Sequence, residues 1–588
     1  MLNEKFIKVL YVNLDKERMH VEQREDLMPY LGGVGIASKL FLENIRPDLD
    51  ILAPEQPIVF AIGAGAYVFP VLTKTVAMFI SPLTGELGES YAGGRFAMAM
   101  LLAGYDALVI TGKAKRYSYI SLSNQSFNIR DARAMWGLKV KTSTQNIRER
   151  ENVGGHAVDK RSILTIGPGG ESGVAFASVT TDIYRHFGRL GLGACFGSKN
   201  LKAIMVFGNR SLPISNPKTY HKVYREIYDK CTGTDNMAKY HDVGTPINVL
   251  PLSKAGALPT LNLSTCTFEY AEDVSGEAFA HKNLVRKMAC VGCPVGCIHI
   301  GMYRREFDKG HEYEAINVPY DYELIFALGS FIGIKTTDEI IAVIEETEAL
   351  GLDAMSTGVC LGWATEALAK GFITKQDTIV DLQFGDSAAY KEAIRYLSAG
   401  ANTFYQDLGR GSRFAGEKYG CVDFAMQIAG NEMPGYHTGY GSLVGTAVAA
   451  RHSHLCNGGY SIDQGAGEFD EDAYVDKLYA EECDRCVANS LVMCLFARKI
   501  YDSKTIVQAL NSIGWSLTED DLTDIGKRIY QTKLQIKKEL GFSVLDVKLP
   551  KRYFETPSMH GVLDEETTYR MIRKFNDKSE ALLTESYV

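Results

Sequence analysis

The chain lacks any apolar run long enough to cross a bilayer, so a membrane-spanning protein is not expected. A basic surplus is missing too. The net charge of -8 argues against a nucleic-acid binder, which would carry excess Lys and Arg. The N-terminus has charges at Glu4 and Lys5 and lacks the basic-then-apolar order of a signal peptide, so a cytoplasmic location is expected. No low-complexity segment and no repeat of fixed period interrupts the sequence. Strands and helices do not alternate regularly, which disfavours a doubly wound dinucleotide fold. Twelve cysteines in a large chain of this kind are not a disulfide framework, so some should be ligands and the rest buried thiols.

Glycine, by contrast, is abundant and clustered. GGVG at 32–35, GAGA at 63–66, GG at 93–94, GPGG at 167–170 and GRLGLGA at 188–194 mark tight turns or close backbone approach to a ligand. The length of 588 residues implies roughly two to four domains. Residues 1–208 read mainly as strands, among them FIKVLYVNL, PIVFAIGAGA, TVAMFISPL, DALVITGKA, YSYISLS, RSILTIGPGG and KAIMVFG. Beyond them the apolar spacing turns helical, most clearly in TDEIIAVIEETEALGLDAMSTGVCLGWATEALAKG and DLTDIGKRIYQTKLQIKKELGF. The expected fold class is α+β: a β-rich domain at 1–208 and two mainly helical domains at 209–405 and 406–588.

The sharpest local signal is Cys290-Val-Gly-Cys293-Pro-Val-Gly-Cys297. Three thiolates this close can wrap one soft metal centre, with Gly292 and Gly296 letting the loop bend and Pro294 stiffening it. Iron–sulfur clusters take four thiolates and accept one from far along the chain. Zinc takes Cys₄ or Cys₃His, and His299 is nearby. Spacing alone leaves Cys456, Cys483, Cys486 and Cys494 as candidates for the fourth ligand. Cys483-Asp-Arg-Cys486 reads as two thiols on one helix face rather than a second metal pair.

Several segments resemble one family, the aldehyde:ferredoxin oxidoreductases. They are SPLTGELGESYAGGRFAMAMLLAGYDALVITGKA (81–114), YRHFGRLGLGACFGSKNLKAIMVFG (184–208), CVGCPVGC (290–297), PYDYELIFALGS (319–330), EALGLD (348–353) and NSLVMC (489–494). The resemblance implies an N-terminal β domain as the base for two pterins, with two helical domains above. It implies tungsten or molybdenum held by two molybdopterin dithiolenes, magnesium between the pterin phosphates, and a [4Fe–4S] cluster beside one pterin. Cys494 closes the second pterin motif, so the cluster ligands would be Cys290, Cys293, Cys297 and Cys494. Asp353 would accept from a pterin amine with Leu352 beside it. Asn489 replaces the usual Asp, Glu348 replaces another, and Val492-Met493 replace Gly-Leu. Gly93 and Gly94 would admit the phosphate tails, with Lys74, Arg95, Arg185 and Arg189 balancing charge. Tyr91 stands where the family often has Asn.

Glu323 matches the family's active-site glutamate and would serve as general base. The partner histidine is one of His454, His452 or His437, because the family's A-T-S-x-R-G-A-x-H pattern is missing here. The resemblance implies oxidation of an aldehyde to a carboxylate, with electrons leaving for ferredoxin or an iron–sulfur partner subunit. Two alternatives remain: a benzoyl-CoA type reductase subunit, or a non-catalytic electron-relay or zinc-stabilised scaffold. Residues 330 to 400 contain no histidine, so the bridging iron of some family dimers is not expected, and a homodimer would use other contacts.

Overall fold

A computed structural model describes residues 2, 4–151, 160–233, 235–307, 310, 312–465 and 467–586. The N-terminal part holds two six-stranded sheets. The first runs in the order Arg18–Arg24, Ile7–Asn13, Ala107–Thr111, Ile58–Ile62, Thr75–Ile80, Leu87–Ala92. The second runs Arg185–Phe187, Val179–Thr181, Arg161–Thr165, Leu201–Phe207, Ser118–Ser123, Phe127–Asp131. Each has a single parallel pair, Ile7–Asn13 with Ala107–Thr111 and Leu201–Phe207 with Ser118–Ser123. Central strands such as IVFAI and TVAMFI are buried on both faces, which suits their β-branched and aromatic composition. Phe60 of the first sheet meets Phe187 of the second edge-on at 5.6 Å, and Phe96 and Phe196 complete the contact.

The seven strands read from sequence are all present, and among the described residues five α-helices join them, the longest being Gly33–Asn44, Val140–Arg150 and Phe96–Ala103. The glycine start of the first helix is not a loop. A side chain at Gly35 would sit 2.1 Å from the carbonyl oxygen of Tyr30.

The middle region differs from the helical expectation. It contains an antiparallel sheet, Leu284–Met288, Ile298–Glu306 and Tyr313–Tyr320, in which the start of the last strand alternates in exposure. Met288 pairs with Ile298, so the cysteine loop is the hairpin connection between the first two strands. The helical run after it is two helices, Thr337–Ala349 and Ala354–Ala369, broken at Gly351 with φ +74°. The C-terminal part is helical, with Glu471–Ser490, Glu519–Glu539 and Glu565–Thr584 packed together. The boundary expected at 405/406 falls inside the helix Thr403–Leu408. Among the described residues no helix is long and apolar enough to cross a membrane.

Candidate cofactor and active site

The segments EALGLD (348–353) and NSLVMC (489–494) each span a helix end and dock on the β domain in the same way. Leu352 makes an isolated antiparallel bridge to Ala177, and Met493 makes one to Leu72. Ser178 donates to the carbonyl of Gly351 at 2.9 Å, and Lys74 donates its amide to Val492 at 3.3 Å. Val492 holds φ +49°, a region open to glycine and unusual for a β-branched residue, so the replacement of the family glycine is accommodated under strain.

The cysteine loop and Cys494 meet here. Val71 donates to Gly292 at 3.3 Å and accepts from the amide of Cys494 at 3.1 Å. Burial raises the Cys293 and Cys297 thiols, Cys297 to about 12, and the neighbouring Cys494 and Cys290 raise both further. Arg185 and Lys74 oppose that rise at Cys297. Among the described residues no group of three or more His, Cys, Asp or Glu is placed to hold one metal ion. The backbone bonds of Val71 nonetheless bring Cys494 to the loop, and a cubane takes each thiolate on a separate iron, so no single-ion geometry is required. A side chain at Gly93 would stand 2.6 Å from Cys290 Sγ, and the carbonyl of Gly94 accepts from Val291 at 3.3 Å, so the glycine pair lies directly against the loop. Cys483 and Cys486 are buried on the helix Glu471–Ser490, away from this hairpin in sequence and element.

Several buried polar groups of the β domain lack hydrogen-bond partners. Thr75, Ser178, Thr180 and Thr181 hydroxyls, Arg185 Nε, His186 Nε2 and Arg189 Nη1 are buried with no hydrogen bond. Each such group costs about 1–3 kcal/mol if it stays unpaired, so the shell suits a large polar, anionic ligand. His186 and the four hydroxyls were not singled out from sequence. Short polar residues carry no motif, and only the fold aligns them. Arg189 Nε lies 3.4 Å from Asp353 Oδ2, and its Nη2 donates to the carbonyl of Glu432 at 2.7 Å. Asp353 also caps the helix Ala354–Ala369 through the amides of Met355 and Ser356. The Asn489 side chain is buried at the end of its helix. Arg95 precedes Phe96–Ala103 without capping it through its side chain, and its charge lowers buried Asp182 against the rise from burial. Tyr91 donates its hydroxyl to Glu89 at 2.7 Å, under Arg451.

Glu323 stands in the first turn of the helix Tyr322–Leu328, which Asp321 caps. Its Oε2 accepts from Gly435 at 3.0 Å. Its Oε1 lies 3.2 Å from His454 Nε2 without the alignment of a hydrogen bond, leaving Oε1 and His454 Nδ1 without hydrogen-bond partners. Burial pushes Glu323 up to about 8, and Asp321 adds to the rise, while Gly435 and Arg189 oppose it. Burial, with Arg189 and Arg451, holds His454 well below its usual range, so it stays neutral. The other two histidines point elsewhere. His437 Nε2 pairs with the carbonyl of Thr556 at 2.9 Å, and His452 Nε2 sits against Glu86 at 2.5 Å. Neither contact involves Glu323.

The fold and site thus define a class: a two-sheet base carrying helical segments, a cysteine set split between a hairpin loop and a distant helix end, and a buried acid–histidine pair. Known proteins share it. The aldehyde ferredoxin oxidoreductase N-terminal domain model matches residues 9–208, and the model of domains 2 and 3 of that enzyme matches 222–582. The chain is 31% identical to a tungsten-containing aldehyde ferredoxin oxidoreductase of Pyrococcus furiosus, over 94% of this chain and 92% of the relative. It is 28% identical to the WOR-like subunit of an aliphatic sulfonate oxidoreductase of the same organism, over 89% and 84% of the two chains. Among solved structures, the active-site complex of benzoyl coenzyme A reductase with 1,5-dienoyl-CoA superposes with TM-score 0.81 over 98% of this chain and 94% of that one, at 18% identity, a likeness of fold. The chain belongs to the aldehyde ferredoxin oxidoreductase family.

Proposed function

We propose that this protein oxidises aldehydes to carboxylates, with water as the oxygen source and ferredoxin or an iron–sulfur partner subunit as the electron acceptor. The observation that carries the reading is the Glu323–His454 pair at 3.2 Å, set in an interior whose unpaired hydroxyls and guanidinium groups fit a polar cofactor. A tungsten- or molybdenum-bis(pterin) group would supply two-electron chemistry there, and a [4Fe–4S] cluster on Cys290, Cys293, Cys297 and Cys494 a one-electron exit.

The chain's own residues divide the remaining work. Residues 1–208 form the base, and Lys74, Arg95, Arg185 and Arg189 offset phosphate charge there, where Gly93 and Gly94 allow close backbone approach. The Tyr91 hydroxyl is spent on Glu89, which fits a magnesium ligand poorly. Leu352-Asp353 and Asn489-Met493 present one pterin edge each. Ionised Glu323 accepts a proton at Oε1 from water or a hydrated aldehyde, and neutral His454 hydrogen-bonds the oxygen of that water or hydrate.

Metal analysis of anaerobically purified protein tests this first. Tungsten or molybdenum near stoichiometry with about four irons supports it; zinc with no pterin favours the scaffold reading instead. Parallel assays with aldehydes, benzoyl-thioesters and aliphatic sulfonates then decide the substrate. Turnover of a thioester or a sulfonate but no aldehyde rejects the proposed reaction while leaving the cofactor assignment standing.

A further inference from the structure

The loop that carries His454 runs through the most heavily charged part of the interior. Glu86 and Glu89 lie at one edge of the first sheet, and Lys533 and Lys537 lie one turn apart on the helix Glu519–Glu539. Lys533 Nζ is 2.7 Å from Glu89 Oε2, and Lys537 Nζ is 2.6 Å from Glu86 Oε2. Each pair grips one loop residue. Arg451 donates to the carbonyl of Glu89 at 3.0 Å with its Nε 3.6 Å from Glu89 Oε1, and His452 sits against Glu86. Lys537 also donates to the carbonyl of Ala450 at 2.9 Å. From the neighbouring helix, Glu482 accepts from the amide of Ala450 at 3.1 Å, and Arg485 donates to the carbonyl of Leu455 at 2.8 Å.

Glu86, Glu89, Arg451, Lys533 and Lys537 are each at most 7% exposed. Burial is the largest single influence and works to raise Glu86 and Glu89, but Lys537 with His452, and Lys533 with Arg451, together outweigh it and hold both below the usual carboxylate range. Buried ion pairs of this kind are expensive, and apolar side chains of equal volume often stabilise a fold as well or better. What the charges deliver is one backbone conformation. His452 holds φ +49°, a strained state for a non-glycine residue that persists only where the surroundings over-determine it. Two residues further on, His454 faces Glu323.

We propose that Glu86, Glu89, Lys533 and Lys537 are positioning residues that clamp Arg451 and His452 and thereby set His454 against Glu323. This rests on the reading of Glu323 and His454 as the acid–base pair. The test uses holoenzyme carrying Lys537→Gln, the charge-neutral pair Glu86→Gln/Lys537→Gln, and Lys537→Arg. The first two lower kcat for aldehyde oxidation about ten- to a hundredfold, the range for a misplaced catalytic group, with metal and iron content and the KM for an artificial acceptor unchanged. Lys537→Arg restores most of the rate. In a His454→Ala background, Lys537→Gln adds little, because the two act through one element. Fully additive losses, or wild-type kcat in the folded double variant, overturn the proposal. If the wild-type protein oxidises no aldehyde, the functional reading fails on its own. Hydrogen exchange then decides positioning: amides of 449–458 exchange faster in the double variant while those of Ala354–Ala369 do not, and equal protection in both proteins rejects the clamp.

Discussion

Cys494 donates its backbone amide to Val71 at 3.1 Å, and the amide of Val71 donates to Gly292 in the distant cysteine loop at 3.3 Å. One residue of the β domain therefore holds both halves of the cysteine set. Cys494→Ser and Cys293→Ser should each yield folded protein with well under the roughly four irons of a full cluster, and Cys483→Ser should not. Iron and acid-labile sulfide assays on anaerobic preparations read this directly. Full iron in Cys494→Ser would remove that residue from the ligand set.

Glu323→Gln should cut aldehyde oxidation by about 10²–10⁴-fold, the usual contribution of a general base, with cofactor content retained. In the wild type the ionised, proton-accepting fraction of Glu323 grows as pH rises through about 8. The rate should therefore climb through that range and level off above it. A pH–rate profile that is flat between neutrality and pH 9 would contradict the assignment.

The same shift affects stability. Between the unfolded carboxyl value of about 4.3 and about 8 in the fold, native Glu323 binds a proton that the unfolded chain has lost. Folding stability of cofactor-free protein should fall as pH rises across that window. Glu323→Gln should flatten the slope and raise Tm most at the alkaline end. Parallel thermal melts at pH 5 and pH 9 measure it, and an unchanged slope counts against the buried-acid description.

Gly93→Ala and Gly63→Ala should fail differently. At Gly93 the new methyl meets Cys290 Sγ at 2.6 Å, a side-chain atom that can swing aside until iron fixes it. Iron content should drop while the Tm of metal-free protein barely moves. At Gly63 the methyl meets the backbone carbonyl of Leu491 at 2.1 Å, which cannot swing away, so the fold itself should lose about 1–3 kcal/mol. Denaturant melts and iron assays on both variants separate the two effects.

His454→Ala should lose activity on the scale of Glu323→Gln without losing much stability. His437→Ala should instead lower Tm, because it strands the carbonyl of Thr556 in a buried site. Loss of activity from His437→Ala at unchanged stability would reassign the active-site histidine.

Much of this was legible in the sequence because it is local. β-branched runs between turn residues produced the strands, and spacing within Cys290–Cys297 marked the loop. The family resemblance, too, rests on contiguous motifs. Strand Leu87–Ala92 is not among the strands expected from sequence, because a buried Glu89 inside a strand is tolerable only once Lys533, far along the chain, pairs with it. The same holds for the choice among His454, His452 and His437. Only chain packing decides which ring meets Glu323 and which meets Glu86 or Thr556, because a histidine's role follows from the charges and dipoles that reach it through space. Sequence settled which groups exist and which segments curl or extend; long-range burial decided which charges could survive inside and what each one faces.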